Sequence, residues 1–137
     1  MSRAIFITRT DQERLEKLIQ TEEEFAPGNK THLEELKSEL KRAVIIEPQD
    51  IPSDVITMRS QVLLKDLSSG EEMICTLVYP DEADMLERKI SVLAPIGMAI
   101  LGYRESDKVE WEIPGGIALL TVEKILFQPE ASGNFDL

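Results

Sequence analysis

The spacing of the apolar residues changes close to residue 45, and this change limits the folds open to the chain. Between residues 10 and 44, leucines and isoleucines recur three or four positions apart, as they do along one face of a helix. From Val55 onward, short apolar or alternating segments are separated by glycine and proline turns, which is typical of β-strands. Because the helices precede the strands, the sequence predicts an α+β fold.

The first segment predicts a short helical hairpin within residues 1–48. The apolar stripes consist of Leu15, Leu18, Ile19 and Phe25 on the first helix and of Leu33, Leu36, Leu40 and Ala43 on the second. A threonine with a glutamate three positions later, at Thr10 and again at Thr31, predicts a capping box at each helix start. The loop between the helices is short, so they are expected to lie antiparallel as a coiled-coil stub. A helix of this length reaches only about 22 Å.

Residues 49–137 predict an antiparallel sheet domain. A connector with two prolines occupies residues 45–54. Strands are expected at residues 62–67, 73–80, 90–92, 108–113 and 117–127. A Pro-Gly-Gly turn at residues 114–116 joins the last two of them, and the tail at residues 128–137 is expected to be loosely held.

The segment ISVLAPIGMAILG, residues 90–102, predicts a strand that passes through a bend into a short helix. Pro95 suits the first helical position, where its missing N–H leaves no helical bond unmade. Gly102 suits the end of the helix. The apolar side chains of Met98, Ile100 and Leu101 would let this helix fill the concave face of a curved sheet, with the bend exposed at one end.

The net charge of −11 restricts the partners of the chain. Residues 51–137 contain 15 acids and 7 bases, a net charge of −8, which would repel a phosphate backbone. We therefore expect no specific nucleic-acid binding and favour a basic protein surface as partner; solubility alone is the other explanation. Cys75 has no second cysteine to pair with, and no apolar run is long enough to span a membrane. We expect a cytoplasmic protein without membrane contacts, and a monomer.

Residues 55–127 resemble the C-terminal domain of the bacterial Gre transcript-cleavage factors. The resemblance rests on several motifs that follow one another in the same order. They are Glu82-Ala83-Asp84, Ile90-Ser91-Val92, Pro95, Leu101-Gly102 and Pro114-Gly115-Gly116. The family has one residue between the leucine and the glycine, which are adjacent here. The short hairpin before this domain is similar to that of a shortened branch of the family.

The resemblance implies an FKBP-like antiparallel β half-barrel with one short helix, and bacterial RNA polymerase as partner. In Gre factors this domain holds the rim of the secondary channel of polymerase, while a long coiled coil reaches inward. The matching bend assigns polymerase binding here to Ser91, Leu93, Ala94 and Pro95. Where the family often has Asp-Ser-Pro, this chain lacks the capping serine. Leu93 either makes an apolar contact with polymerase or packs inward.

The hairpin tip departs from the Gre pattern, in which an aspartate and a glutamate help to hold a second magnesium ion for RNA cleavage. The tip here reads TEEEFAPGNK, and its channel-facing residues would be Glu22, Glu23, Glu24 and Asn29. Glutamates in a last helical turn oppose the helix dipole, so they either serve a function or form a solvated helix end. A stub of about 22 Å is too short to bring a carboxylate to a deeply buried metal. We therefore expect no stimulation of transcript cleavage.

The remaining residues give no sign of catalysis, a metal or a cofactor. His32 is the only histidine, which excludes a multi-histidine metal site, and we expect it to be exposed. Cys75 lies in an apolar strand without an activating base and is expected to be a buried thiol, and Trp111 is expected in the core. Together with these observations, the resemblance to the Gre factors implies a non-enzymatic transcription modulator that competes with Gre-type factors.

Two alternatives stay open on the sequence alone. An FKBP-like fold would also suit a peptidyl-prolyl isomerase, although only 5% of the residues are aromatic and such a site needs an aromatic-lined groove. The protein would otherwise regulate another cytoplasmic protein through its helical stub.

Overall fold

The computed structural model describes residues 5–25, 31–113 and 115–133. Its helices are α1 Arg9–Phe25, α2 Thr31–Arg42 and α3 Pro95–Ile100. Its strands are β1 Phe6–Thr8, β2 Val44–Ile46, β3 Gln61–Asp66, β4 Glu72–Val78, β5 Lys89–Ser91, β6 Lys108–Ile113 and β7 Gly116–Phe127. A helical N-terminal part followed by a sheet confirms the predicted α+β class. Within these ranges no helix is long and apolar enough to span a membrane.

Some of the predicted positions lie outside this description. Asn29 belongs to residues 26–30, and the side chains of Phe25, His32 and Trp111 are likewise not described. The roles predicted for these side chains therefore stay predictions.

Helices α1 and α2 form the predicted hairpin, and their apolar stripes face inward. Leu15, Leu33 and Leu36 are buried almost completely, and Leu18 packs against the same core from a half-buried position. Burial of an amphipathic face supplies most of the stability of helices of this length. The leucine spacing in the sequence is therefore explained by the packing of the hairpin.

The start of α1 differs from the predicted capping box at Thr10. The helix begins at Arg9, and the hydroxyl of Thr8 accepts a hydrogen bond from the backbone N–H of Asp11 at 3.1 Å. Thr8 is therefore the residue that satisfies a free N–H of the first turn. Thr8 and Thr10 each have an acid three positions later, so the sequence pattern alone does not distinguish them.

A parallel pair of short strands holds the base of the hairpin, where the sequence predicted no strand. β1 precedes α1, β2 follows α2, and their pairing runs from Phe6 beside Val44 to Thr8 beside Ile46. Ile5, just before β1, is fully buried. The predicted connector at residues 45–54 therefore begins as a strand that ties the end of the hairpin to its beginning.

The main sheet has the strand order β5-β4-β3-β7-β6. The pairs β3–β4, β3–β7 and β6–β7 are antiparallel, but β4 and β5 are parallel. The prediction of an entirely antiparallel sheet is therefore wrong at this edge. The chain after β4 returns along the sheet through a 3-10 turn at Pro80–Glu82 and a tight turn between Asp84 and Lys89, so β5 starts in the direction of β4.

An apolar core lies between the main sheet and the helices. Of the three side chains predicted to fill the inner face of the sheet, Ile100 and Leu101 are buried in the same cluster as Val62, Leu77 and Leu120, as is Ile96, whereas Met98 is only half-buried. The same cluster includes the hairpin side chains Ile5, Ile7, Leu15, Ile19, Leu36 and Leu40. Both of the predicted domains thus contribute to this core.

Gly102 lies where the base of the hairpin meets the β domain. Its N–H donates to the carbonyl of Ile56 at 2.9 Å, and its carbonyl accepts from the N–H of Phe6 at 3.1 Å. Its φ is +83°, and a Cβ added there would lie 2.8 Å from the Cβ of Ile5. Both the backbone conformation and the available space therefore require glycine.

Asp11 makes a second link between the hairpin and the β domain. The residue is 2% exposed, and its Oδ2 accepts a hydrogen bond from the backbone N–H of Met58 at 3.0 Å. Burial raises the pKa of the Asp11 carboxyl to about 7, even though the Met58 bond and nearby Arg14 lower it. The first turn of α1 therefore contains a carboxyl that titrates close to neutral pH.

The described part of the C-terminal segment is docked on the β domain, so the prediction of a loosely held tail is wrong for residues 128–133. The buried amide of Gln128 donates to the carbonyls of Pro52 and Val55 at 2.8 and 2.7 Å. The hydroxyl of Thr57 donates to Glu130 at 2.7 Å. Polar residues that suggested a loop in the sequence make specific bonds in the structure.

Candidate partner-binding site

The bend between β5 and α3 contains the four residues predicted to bind polymerase. Ser91 organises this bend, because its hydroxyl accepts from the N–H of Leu93 and its carbonyl accepts from the N–H of Ala94, both at 3.0 Å. Ala94 is extended, with φ −71° and ψ 150°, and its side chain caps no N–H of α3. The turn that begins at Ser91 therefore forms the bend without the serine cap of the family pattern.

The bend is held from both sides. A Cβ added to Gly97 of α3 would lie 2.2 Å from the carbonyl oxygen of Ser91, so only glycine permits this close packing of α3 on the bend. On the other side, buried Val92 donates its N–H to the carbonyl of Val78 at 2.8 Å. A partner would therefore meet a preformed surface, which lowers the entropic cost of association.

The four predicted residues differ in their accessibility. Pro95 is exposed, whereas Ser91, Leu93 and Ala94 are half-buried. Leu93 also packs against the core, so part of its side chain faces inward and part stays accessible. Pro95 is therefore the residue of the bend that a partner would contact most fully.

A groove of about 570 Å³ beside Pro95 separates α2 from α3, and no motif in the sequence predicted it. Its lining includes Pro95, Met98 and Ala99 of α3, Glu35 and Glu39 of α2, and Glu110 of β6. Glu35 and Glu39 are four positions apart and so share one flank of α2. That spacing was visible in the sequence, but the packing of α3 beside this flank was not.

The glutamates predicted at the hairpin tip have different surroundings. Glu23 forms an ion pair with Lys37 of α2, which joins the two helices. Glu22 lines a separate groove of about 520 Å³ together with Arg14 and Tyr79. Glu24 is exposed. The described residues therefore do not bring the three carboxylates together at one point.

Cys75 is buried, as predicted for a structural thiol. Burial raises the pKa of Cys75 to about 11, so the reactive thiolate is scarce at neutral pH. In the part of the chain that the structure describes, no group of three or more histidine, cysteine, aspartate or glutamate side chains is placed to hold a metal ion. The groove beside the bend combines a concave apolar surface with the negative charge of three glutamates.

Two family models match the chain. The model described as "Transcription elongation factor, GreA/GreB, C-term" matches residues 51–127, and the model described as "Rnk N-terminus" matches residues 3–46. The first match covers the main sheet, α3 and the bend. The second match covers the helical hairpin and both strands at its base.

Relatives of known sequence agree with these models. The regulator of nucleoside diphosphate kinase from Escherichia coli strain K12 is 41% identical over 137 residues, which cover 98% of each chain. Transcription elongation factor GreA from Syntrophotalea carbinolica is 35% identical over 95 residues, which cover 69% of this chain and 60% of that protein.

Solved structures show the same fold. A GreA/GreB factor from Nitrosomonas europaea has a TM-score of 0.74 at 38% identity, and the match covers 92% of this chain and 100% of that one. Gfh1 of Thermus aquaticus has a TM-score of 0.51 at 29% identity, and the match covers 90% and 99% of the two chains.

Proposed function

Since the chain belongs to the GreA/GreB transcription elongation factor family and is similar along its whole length to a regulator of nucleoside diphosphate kinase, we propose that it is a cytoplasmic transcription modulator that binds bacterial RNA polymerase. Members of the family interact with RNA polymerase. The proposed contact is the rim of the secondary channel, through Ser91, Leu93, Ala94 and Pro95, as the resemblance of the bend implies. In this proposal residues 49–137 form an FKBP-like anchor, residues 1–48 form the arm, and the protein acts as a monomer.

The proposed effect on transcription is competition with Gre-type factors, without stimulation of RNA cleavage. The observation that carries this proposal is the length of the arm. Helix α1 has 17 residues and α2 has 12, which correspond to about 25 and 18 Å. An arm of this length supports a role at the channel entrance rather than at a deeply buried metal. The ion pair between Glu23 and Lys37 further limits the carboxylates available at the tip.

Binding is tested by titrating the protein against core RNA polymerase. We expect Pro95→Asp to weaken association about tenfold or more, because an apolar contact is replaced by a charge that must be desolvated. An aspartate at the first helical position is favourable for the helix dipole, so α3 should stay folded. Leu86→Asp is the matched control, since Leu86 is an apolar residue of another turn and is 97% exposed. Equal binding of the two variants would exclude the bend from the contact.

Competition is tested on stalled elongation complexes. We expect the protein to lower the RNA cleavage that a GreA protein stimulates, and to add no cleavage when present alone. Added RNA cleavage by the protein alone would contradict the non-cleaving role. Cleavage by GreA that stays unchanged at saturating protein would contradict the shared site.

The isomerase alternative is tested with the same preparation. We expect no acceleration of prolyl isomerisation in a model peptide, because α3 covers the inner face of the sheet with buried Ile96 and Ile100. If the protein does not bind polymerase but does accelerate prolyl isomerisation, the isomerase function would be favoured instead.

A further inference from the structure

The groove between α2 and α3 has one sign of charge. Among the described residues that line it, every charged side chain is a glutamate: Glu35, Glu39 and Glu110. Its apolar lining includes Met98 and also Ile117 of β7, which is 65% exposed. A concave surface that combines apolar side chains with charges of one sign is complementary to an apolar segment of opposite charge.

The acidic flank is a local property of α2 and does not follow from the overall charge of the chain. Lys37 and Lys41 of the same helix line the groove on its other side, between α1 and α2. Lys37 and Lys41 therefore lie on the flank of α2 that faces α1, where Lys37 also pairs with Glu34. The flank that faces α3 carries Glu35 and Glu39, and the sheet adds Glu110.

The three glutamates differ in how they are engaged. Glu39 pairs with Arg42 at 2.7 Å, and Arg42 also donates to the hydroxyl of Tyr103 at 3.2 Å, so this pair ties α2 to the β domain. Glu35 and Glu110 are exposed and have no ion-pair partner among the described residues. These two carboxylates are accordingly the ones available to cations from outside.

We propose that the groove between α2 and α3 seats a basic, amphipathic helical segment of the protein partner. Apolar side chains of that segment, spaced three and four residues apart, would pack against Met98, Ala99 and Ile117. Its lysines and arginines would lie opposite Glu35 and Glu110. This inference rests on the proposed function, in which the partner is RNA polymerase, and adds a second contact surface beside Pro95.

Other ligand classes fit the groove less well. A nucleic acid would place phosphates against a wall of glutamates, which is repulsive. A metal ion needs converging ligands, and within the described ranges no three acidic, histidine or cysteine side chains are placed to hold one. A basic protein segment satisfies both the apolar lining and the charge of the rim.

The test uses two binding partners and two charge-matched variants of the full chain. Glu35→Lys with Glu110→Lys reverses the charge of the groove, and Glu71→Lys with Glu123→Lys makes the same change in net charge at exposed residues that do not line it. The partners are core polymerase and a labelled helical peptide of leucine, alanine and lysine with leucines at positions i, i+3, i+4 and i+7. Thermal unfolding confirms that both variants are folded.

We expect reversal of the groove charge to weaken binding of the peptide and of polymerase about tenfold, and the control to stay within about twofold of the original. We also expect Ile117→Ser to weaken both interactions. Equal binding of the two double variants to both partners would overturn the groove while leaving polymerase binding intact. If the original protein does not bind polymerase, the proposed function fails, and the peptide measurements decide on the groove by themselves.

Discussion

The two ends of the helical hairpin are held in different ways. At its base, Ile5 is fully buried in the core, and Asp11 accepts a hydrogen bond from the backbone of Met58 in the β domain. Towards its tip, Leu33 is buried but does not belong to the main core cluster, and the two helices are joined by the ion pair of Glu23 and Lys37, whose side chains are about one-third exposed. The base is fixed by apolar burial and directional hydrogen bonds, whereas the ion pair near the tip is open to solvent.

This difference indicates how the arm is used. Burial and hydrogen bonds at the base fix the direction of the arm relative to the β domain. A partly exposed ion pair adds little to stability, so we expect changes at Glu23 or Lys37 to leave the fold intact. In the proposed function the arm is then an obstacle of fixed direction and the bend supplies affinity, to which the further inference adds the α2–α3 groove.

The largest expected effect comes from adding a Cβ at Gly102, where the base of the hairpin packs against the β domain. Gly102→Ala places a Cβ 2.8 Å from that of Ile5 and forces alanine to adopt a φ of +83°. We expect a loss of about 3–5 kcal/mol in the free energy of unfolding, from left-handed strain and overpacking together. Gly70→Ala is the control, since Gly70 has a similar φ of +78° and nothing within 4 Å of an added Cβ.

Denaturant titration of both glycine variants measures the contribution of the contact itself. The strain is common to both, so the difference between them reports the packing of β1 against the end of α3. If both glycine variants lost the same free energy of unfolding, β1 could move away from the added Cβ at little cost. The contrast between a firmly held base and a weakly held tip would then no longer hold.

The second effect concerns the pH dependence of the base. The pKa of Asp11 is about 7 in the folded protein and about 3.9 in an unfolded chain. Between pH 4 and 7 the unfolded chain has lost this proton while the folded protein still holds it. The contribution of Asp11 to the free energy of unfolding is therefore complete below pH 4, falls as the pH rises towards 7, and is lost above pH 7. Asp11→Asn keeps an acceptor for Met58 without a charge.

We therefore expect Asp11→Asn and the original protein to be equally stable near pH 4. By pH 8 the variant should be more stable by about 2–4 kcal/mol, as a pKa difference of three units allows. Urea titrations across this range measure the divergence, and Asp81→Asn at an exposed site serves as the control. If the free energy of unfolding changed with pH in the same way for all three proteins, the Asp11 carboxyl would not be held in a site without solvent.

The parts of the fold that the sequence predicted correctly have signals within one short stretch. Pro95 at the start of α3 and the alternating residues of β6 are examples, because a few neighbouring residues determine each conformation. The base of the hairpin is different. β1 and β2 are three residues each and pair Phe6 with Val44, so neither carries a periodic pattern and each depends on a distant partner.

The same limit applies to the candidate site. The bend could be predicted as a candidate site because its residues are contiguous and resemble a family motif. In the sequence, Glu35 and Glu39 resemble any solvent-exposed flank of a helix. Only the packing of α3 beside α2 places apolar side chains next to these two glutamates. The parallel arrangement of β4 and β5 was missed for a related reason, since it depends on the path of the chain between Val78 and Lys89.

The smallest expected effect lies at the tip. Lys37→Met removes the cation that pairs with Glu23, and we expect a change in thermal stability at the limit of measurement, because a partly exposed pair is screened by water and salt. The double variant Glu23→Gln with Lys37→Met should show little coupling between the two changes. Binding to polymerase should also be unaffected, since the bend and the groove are unchanged. A large loss of stability or binding would show that the tip is held as firmly as the base, and the arm would then contribute through its end.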